Sequence, residues 1–249
     1  MPMTDAIPPD APPTNKVQAT DVLLLAMATL LEQRDTQTHQ HLLRVHAYVG
    51  VLAQALQSHP RWRALLSPDY IRHVLASVWV YDMGTLSVPD RVLLKPGVYS
   101  PDERRAMQAH TVRGFAALQQ AEKTMRYSDD ALRVAKEVTL SHHEHWDGQG
   151  YPQGLQGTAI PASARIIAVA DAYDAMVSNK VYKTTMTHEQ ALTQLWQERG
   201  VQFDADVVDA FINQGHAMRL IAQRLADTEQ DLQRKMEFLD DALAEPPVH

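Results

Sequence analysis

A short polar stretch at residues 142–152 contains the side chains best suited to chemistry. It opens with His142, His143 and Glu144 and closes with the tripeptide Gly-Tyr-Pro at residues 150–152. Polar groups this dense are costly to bury without partners, whereas neutral imidazole is a common ligand of first-row transition metals. The glycines and the proline favour an irregular loop after a helix end. The stretch therefore predicts a metal and phosphate site, the alternative being a histidine-rich surface loop.

Two further carboxylates lie one helical turn apart in an apolar stretch. Asp171 and Asp174 are three residues apart, so a helix would place them on one face. The surrounding residues, from about Ala162 to Met176, are strongly apolar and include Arg165. This spacing alone is weak information, because solvated helix faces often show it.

Helical patterning dominates the elements that must position these residues. One helix is predicted from about Thr38 to Gln57, with apolar residues at three- and four-residue steps. Its stripe consists of Leu42, Val45, Val49, Leu52 and Leu56. Another helix, from about Asp129 to Ser141, leads directly into His142, and Ser100 with Glu103 forms a capping-box pattern for a third. The sequence therefore predicts an all-α fold.

The composition limits the classes of function. A chain of 249 residues, 45% of them hydrophobic, can form one domain with a sizeable core. The absence of cysteine excludes disulfides, zinc–thiolate sites and thiol nucleophiles. A formal net charge of -7 argues against a general nucleic-acid-binding surface, which needs clustered Lys and Arg. Without an apolar stretch long enough to span a bilayer, we expect a cytoplasmic protein with no membrane partner.

The polar stretch resembles the signature of a known family. His-His-Glu at residues 142–144, followed after two residues by Asp-Gly-x-Gly-Tyr-Pro at 147–152, is similar to the motif of the HD-GYP domain family. The resemblance extends from about Gln33 to Phe211. It implies an HD-domain-like helical bundle with an irregular Gly-Tyr-Pro loop. Family members typically hydrolyse cyclic di-GMP at a cluster of two or three iron or similar metal ions.

The resemblance also implies roles for individual residues. The implied metal ligands are His41, Asp82, His110, His142, His143 and Asp171. In the family pattern the aspartate at position 82 bridges two metals, which makes Asp82 the implied catalytic residue. The residues implied on the substrate side are Tyr151, Arg165, Asp174, Lys180 and Lys183.

The motif that gives the family its name is altered in this chain. Tyr81 stands where the family has a metal-binding histidine, and Thr85 stands where it has a lysine that approaches the phosphate. A neutral phenol, with a reference pKa of about 10, is a poor ligand for a divalent ion. Losing the lysine removes a positive charge from the place where phosphoryl charge develops. We therefore expect a degenerate site with one or two divalent ions, iron or manganese, or none, and expect Tyr81 to hydrogen-bond Asp82 or His41.

A heptad spacing marks the C-terminal segment. Met218, Leu225, Leu232 and Leu239 are seven residues apart, which predicts a long C-terminal helix that forms a homodimer. Thr228 and Lys235 interrupt the seam, and the alternative is a helix that folds back on its own domain. The expected organisation is a flexible Pro-rich tail at 1–18, a helical domain at 19–215 and the C-terminal helix at 216–249.

Two functions from different classes follow. In the first, the chain is a cyclic di-GMP signalling protein with impaired catalysis that binds a nucleotide or another protein, such as a diguanylate cyclase (GGDEF) domain. In the second, it is an active metal-dependent cyclic di-GMP phosphodiesterase giving pGpG or GMP. The altered residues Tyr81 and Thr85 favour the first.

Overall fold

The computed structural model describes residues 19–34, 40–178 and 185–244. Its helices are α1 (Ala19–Arg34), α2 (His41–Gln57), α3 (Pro60–Arg63), α4 (Pro68–Ser77), α5 (Asp90–Leu93), α6 (Pro101–Met125), α7 (Asp130–Ser141), α8 (Ala162–Val177), α9 (His188–Gln197), α10 (Ala205–Asn213), α11 (Gly215–Arg224) and α12 (Glu229–Ala244). Two short 3-10 helices span Met83–Ser87 and Gly157–Ala159. No strand occurs within these described ranges, so the predicted all-α fold is confirmed. The predicted tail at 1–18, Lys180 and Lys183 lie outside them.

Local capping signals set where the site-bearing helices begin. The Ser100 hydroxyl accepts from the Glu103 amide, and the Glu103 carboxylate accepts from the Ser100 amide, which is the predicted capping box at the start of α6. The side chain of Asp129 likewise accepts from the amide of Leu132 at the start of α7. These caps fix the register of the helices that carry His110 and lead into His142.

The core forms around α2 and α8, which pack against each other. The predicted stripe of α2 is buried, and α8 is buried on nearly every side because α2, α7, α9 and α10 surround it. Burying each large aliphatic side chain contributes about 1.5–3 kcal/mol, so this pair anchors the fold. The two helices carry His41 and Asp171, which the core therefore holds in a fixed relative position.

Close packing of glycines places Asp82 beside α6. A Cβ atom at Gly84 would collide with the carbonyl oxygen of His110, and one at Gly114 would lie 2.6 Å from Cγ2 of Thr139. Alanine at Gly84 would have to displace the backbone of α6, and alanine at Gly114 would have to displace the buried side chain of Thr139. The 3-10 helix that follows Asp82 can therefore lie directly on the helix that carries His110.

The C-terminal segment differs from the prediction of one continuous helix. Thr228 starts a new helix, since its hydroxyl accepts from the Asp231 amide while the Asp231 carboxylate accepts from the Thr228 amide. Met218 and Leu239 are fully buried within the chain. The heptad residues therefore do not form one exposed seam, and α12 folds back on its own domain. Homodimerisation itself stays a prediction.

None of the helices in the described ranges is both long and apolar enough to cross a membrane.

Candidate metal centre

Four predicted metal ligands meet in one partly buried cluster. Asp82, His110, His142 and His143 each offer a ligand atom, and these atoms lie within 4.8 Å of one another. Asp82 Oδ1 is 3.2 Å from Nε2 of His110 and 3.3 Å from Nε2 of His142. The two imidazoles are almost completely buried. Three separate elements thus converge on a volume suited to one ion.

Backbone carbonyls orient two of the histidines. Nδ1 of His110 donates to the carbonyl of Met107 at 2.7 Å, and Nδ1 of His142 donates to the carbonyl of Val138 at 2.9 Å. Because a carbonyl oxygen can only accept, Nδ1 carries the proton in each ring. A neutral ring then presents the lone pair of Nε2 to the cluster, as metal-ligating histidines commonly do.

The electrostatics of the cluster favour bound cations. Burial raises the pKa of Asp82, but His110 and His142 lower it more, and the carboxyl pKa lies well below its usual range. Burial and the neighbouring His142 hold the pKa of His143 well below its usual value, so that ring stays neutral. The buried Oδ1 of Asp82 has no hydrogen-bond partner.

When the rings of His110 and His142 are neutral, their Nε2 lone pairs face an ionised oxygen, and a cation between these atoms stabilises the arrangement. Three imidazole nitrogens and one carboxylate oxygen suit iron, manganese or zinc. The residues present therefore fit a divalent metal ion.

The other predicted ligands, His41 and Asp171, lie 3.6 Å apart, from Nε2 to Oδ1, and share the Tyr81 phenol as a hydrogen-bond partner. The Tyr81 hydroxyl donates to Asp171 Oδ1 at 2.7 Å and accepts from His41 Nε2 at 2.9 Å. Tyr81 is fully buried, and burial followed by Asp171 and Asp82 raises its pKa well above the usual value, which keeps the phenol neutral. The expected hydrogen bond to His41 is present, but the carboxylate partner of Tyr81 is Asp171 rather than Asp82.

A buried ion pair holds His41 from its opposite side. Nδ1 of His41 donates to Asp174 Oδ2 at 2.8 Å, and the Arg44 guanidinium donates to both Asp174 oxygens at 2.7 and 3.0 Å. Burial raises the pKa of Asp174, but His41 and Arg44 lower it further, so the net shift is downward. Burial lowers the pKa of His41, and Asp174 more than reverses this. Asp174 thus orients His41.

The described partners of Asp174 and Arg165 are protein groups. Arg165 is buried, donates to the carbonyl of Ile160 at 3.0 Å and pairs with Asp204 at 2.6 Å. Its guanidinium also lies 4.7 Å from the ring centroid of Trp62. A substrate contact for these two residues stays a prediction, as it does for Lys180 and Lys183 outside the described ranges.

Tyr151 stands beside the metal cluster. Its ring stacks on His143, with the centroids 4.8 Å apart and the planes at 27°. Burial, with Asp82 and Asp171 nearby, raises the pKa of its phenol, which therefore stays neutral. This position is compatible with the predicted contact to substrate, which remains a prediction.

Glu144 positions the signature loop, a role that the sequence pattern did not reveal. Its buried carboxylate accepts from the amide of Gln153 at 2.7 Å and from the amide of Leu155 at 2.9 Å. At Gly150 a Cβ atom would collide with the backbone amide of His145, so the loop needs glycine there. A glutamate next to two histidines suggests a ligand by type, and only the folded loop shows that it binds backbone.

Comparison with known proteins identifies the family. The sequence profile of the HD domain family matches residues 26–207. A Vibrio cholerae protein named as a probable cyclic di-GMP phosphodiesterase is 44% identical over 209 residues, covering 84% of this chain and 47% of that protein. A Thermotoga maritima protein named as a cyclic di-GMP phosphodiesterase is 37% identical over 183 residues, covering 74% of this chain and 46% of that protein. This chain thus spans less than half the length of these curated relatives.

A solved structure shares the fold. The cyclic GMP-AMP specific phosphodiesterase of V. cholerae superimposes with a TM-score of 0.59 at 19% identity, covering 88% of this chain and 53% of that chain. The family profile covers most of this chain, and the chain has the His-His-Glu and Gly-Tyr-Pro motif in its described loop. The chain therefore belongs to the HD domain family, in its HD-GYP branch.

Proposed function

We propose that this chain is a cyclic di-GMP signalling protein of the HD-GYP type in which hydrolysis is impaired and that acts as a nucleotide- or protein-binding module. The names of its relatives support the signalling class and the nucleotide. The cluster of Asp82, His110, His142 and His143 supports one bound divalent ion, iron or manganese.

The position of Tyr81 is the observation that carries the proposal. Its hydroxyl lies within hydrogen-bond distance of His41 and Asp171, the two residues expected to hold a second metal with Asp82. A neutral phenol is a poorer metal ligand than the nitrogen lone pair of a neutral histidine ring. We infer that the chain binds one ion where the family resemblance implies two or three.

Thr85 supports the same conclusion. Its hydroxyl donates to the backbone carbonyl of Asp82 at 2.8 Å, so the side chain serves the turn rather than the site. The family lysine at this position would neutralise developing phosphoryl charge. Removing one such electrostatic group typically lowers kcat by about 100- to 1,000-fold, and Tyr81 adds a second loss.

The alternative function is an active phosphodiesterase with one metal. It is favoured by the complete four-residue cluster and the unpaired Oδ1 of Asp82. A bound divalent ion supplies Lewis acidity toward a phosphate oxygen and lowers the pKa of a bound water. In this alternative Asp82, His110, His142 and His143 hold the ion, and Tyr151, which stacks on His143, contacts the nucleotide.

Metal content and cyclic di-GMP turnover test the proposal together. The native chain is purified without oxygen, supplied with Fe²⁺ or Mn²⁺ and compared with the double variant Tyr81→His/Thr85→Lys. We expect about one ion per native chain, about two per variant, and hydrolysis to pGpG or GMP by the variant at least ~100-fold faster. The exposed Tyr127→His is the matched control and should leave both quantities unchanged. Hydrolysis by the native chain at the rate of an active double variant would establish the alternative function instead.

Two partners belong to the same proposal and have their own tests. A diguanylate cyclase (GGDEF) domain is expected to bind at the Gly-Tyr-Pro loop. A pull-down should recover this domain with the native chain and not with a Tyr151→Ala variant.

We also expect the full chain to form a homodimer, which sedimentation equilibrium measures. A monomer at every concentration would remove dimerisation from the proposal.

A further inference from the structure

We propose that the C-terminal segment at residues 225–244 acts as a brace that sets the position of His41, with Asp227 and Lys235 as positioning residues. Both residues lie beyond position 207, where the match to the HD domain family ends. Two separate chains of buried contacts connect this segment to His41. The consequence for metal binding rests on the proposed function, while the brace itself does not.

The first connection runs through Arg44. Its guanidinium donates to the carbonyl of Leu225 at 3.0 Å and to Oδ1 of Asp227 at 3.2 Å, both in the turn between α11 and α12. The same guanidinium donates hydrogen bonds to both oxygens of Asp174, and Asp174 accepts another from Nδ1 of His41. Two residues, Arg44 and Asp174, therefore connect the turn to the imidazole of His41.

Charge explains why this connection needs Asp227. Asp174 is shared between Arg44 and His41, so it compensates the buried guanidinium only in part. Asp227 supplies a second carboxylate to Arg44, and the paired groups are nearly inaccessible to water. Removing one member of a buried ionic group leaves charge uncompensated. Without Asp227, Arg44 would interact more strongly with Asp174, and the hydrogen bond between Asp174 and His41 would weaken.

The second connection reaches the first turn of α2 through α1. Nζ of Lys235 donates to the backbone carbonyl of Glu32 at 2.6 Å, and Oε1 of Glu32 accepts from the amide of Leu42 at 3.0 Å. The residue before α2, Gln40, makes no side-chain cap, so Glu32 satisfies an amide that the helix start leaves unpaired. Lys235 thus supports the helix end whose first residue is His41.

An apolar contact also packs α12 against the domain. Leu239 is fully buried in a small cluster that follows the 3-10 helix after Asp82. Its partners in the cluster are Val88, Val92, Leu93 and Leu94. Burying one leucine contributes about 1.5–3 kcal/mol, enough to hold a helix that the two polar connections then align. The brace therefore contacts the segment that follows Asp82 as well as α1 and α2.

The direct test follows the imidazole N–H protons of His41 by NMR in the metal-free full chain. These N–H resonances are assigned by their absence from the spectrum of the His41→Gln variant. We expect at least ~10-fold faster exchange with solvent in Asp227→Asn and in Lys235→Met, because each frees a group that positions the ring. Asp227→Glu keeps a carboxylate and should restore slow exchange. The matched controls Asp209→Asn and Arg72→Met alter exposed ion pairs outside the segment and should not change the rate. Native-like exchange in both folded positioning variants would overturn the brace.

A second measurement connects the brace to metal binding. Mn²⁺ is titrated into Tyr81→His with and without Asp227→Asn, and EPR distinguishes one bound ion from an exchange-coupled pair. We expect Asp227→Asn to weaken the second ion by about 10- to 100-fold, as for residues that orient a ligand, and to leave the first ion unchanged. Equal affinity with and without Asp227 would overturn the consequence of the brace for metal binding. Failure of Tyr81→His to bind a second ion would count against the proposed function, while the N–H exchange would still decide the brace.

Discussion

The two halves of the centre use similar side chains but satisfy them differently. Around Asp82, His110 and His142, an ionised oxygen and imidazole nitrogens face each other, and Asp82 Oδ1 lacks a hydrogen-bond partner. Around Tyr81 and His41, the phenol and both ring nitrogens are hydrogen-bonded to protein groups. The first half leaves a buried carboxylate oxygen that a bound cation would satisfy, whereas the second half is hydrogen-bonded throughout.

The difference shows how one substitution changes a binding site without disturbing its surroundings. Buried polar groups must find partners, and a metal ion or a hydroxyl can provide them. Tyr81 supplies a donor to Asp171 and an acceptor to His41, so it replaces the interactions expected of an ion. Asp174 and Arg44 keep His41 oriented in the same way as a carboxylate that supports a metal-ligating histidine.

The comparison is tested most strongly by removing one carboxylate from each half. Asp82→Asn should weaken Mn²⁺ binding by more than about 100-fold, the upper range for losing a residue that only supports a ligand. Asp171→Asn should weaken it by less than about tenfold, because Tyr81 already occupies that carboxylate. Competition with a chelating indicator dye measures both affinities. Equal losses would show that the halves act as one site.

A smaller expected effect concerns the packing that brings Asp82 to α6. Gly84→Ala forces a methyl group against the carbonyl of His110 and should destabilise the chain by about 1–3 kcal/mol. Gly50→Ala is the matched control, because its methyl group meets only Leu75 at an ordinary 3.8 Å. Gly50→Ala should stabilise α2 by up to about 1 kcal/mol. Urea unfolding measures both, and a neutral Gly84→Ala would refute the close approach.

Tyr81→Phe probes the completed half. It removes one hydroxyl and leaves His41 Nε2 and Asp171 Oδ1 without that partner, which should destabilise the metal-free chain by about 1–3 kcal/mol. Affinity for the first Mn²⁺ should stay within about threefold of native, because phenylalanine keeps the ring that packs on His142 with the centroids 5.0 Å apart. Thermal unfolding with and without EDTA separates these effects. An unchanged melting temperature in EDTA would mean that the hydroxyl contributes nothing to this half.

The smallest effect is expected in the signature loop. Glu144→Gln replaces one accepting oxygen by an NH₂ group, so either Gln153 or Leu155 loses its acceptor, at a cost of about 1 kcal/mol. Hydrogen exchange at those two amides should increase about fivefold. Glu198→Gln provides a control outside the loop. Unchanged exchange at both amides would show that the loop holds its shape without the carboxylate.

Local features were predictable from the sequence because they depend on neighbouring residues. The Ser100–Glu103 capping box and the buried stripe of α2 were both confirmed. The prediction of one long C-terminal helix was wrong, because a seven-residue spacing carries no information about the cap that Thr228 and Asp231 form at the start of a new helix. Periodicity describes a helix only as far as its caps allow.

Sequence alone determined the helical class, the family and the residue types of the candidate site, because caps, periodicity and motifs are local. Only the tertiary structure decided how those residues are partnered. Tyr81 meets Asp171, 90 positions away, and Arg44 meets Asp227, 183 positions away. Such contacts depend on which buried donor finds which acceptor after the helices have packed, and no spacing along the chain specifies that.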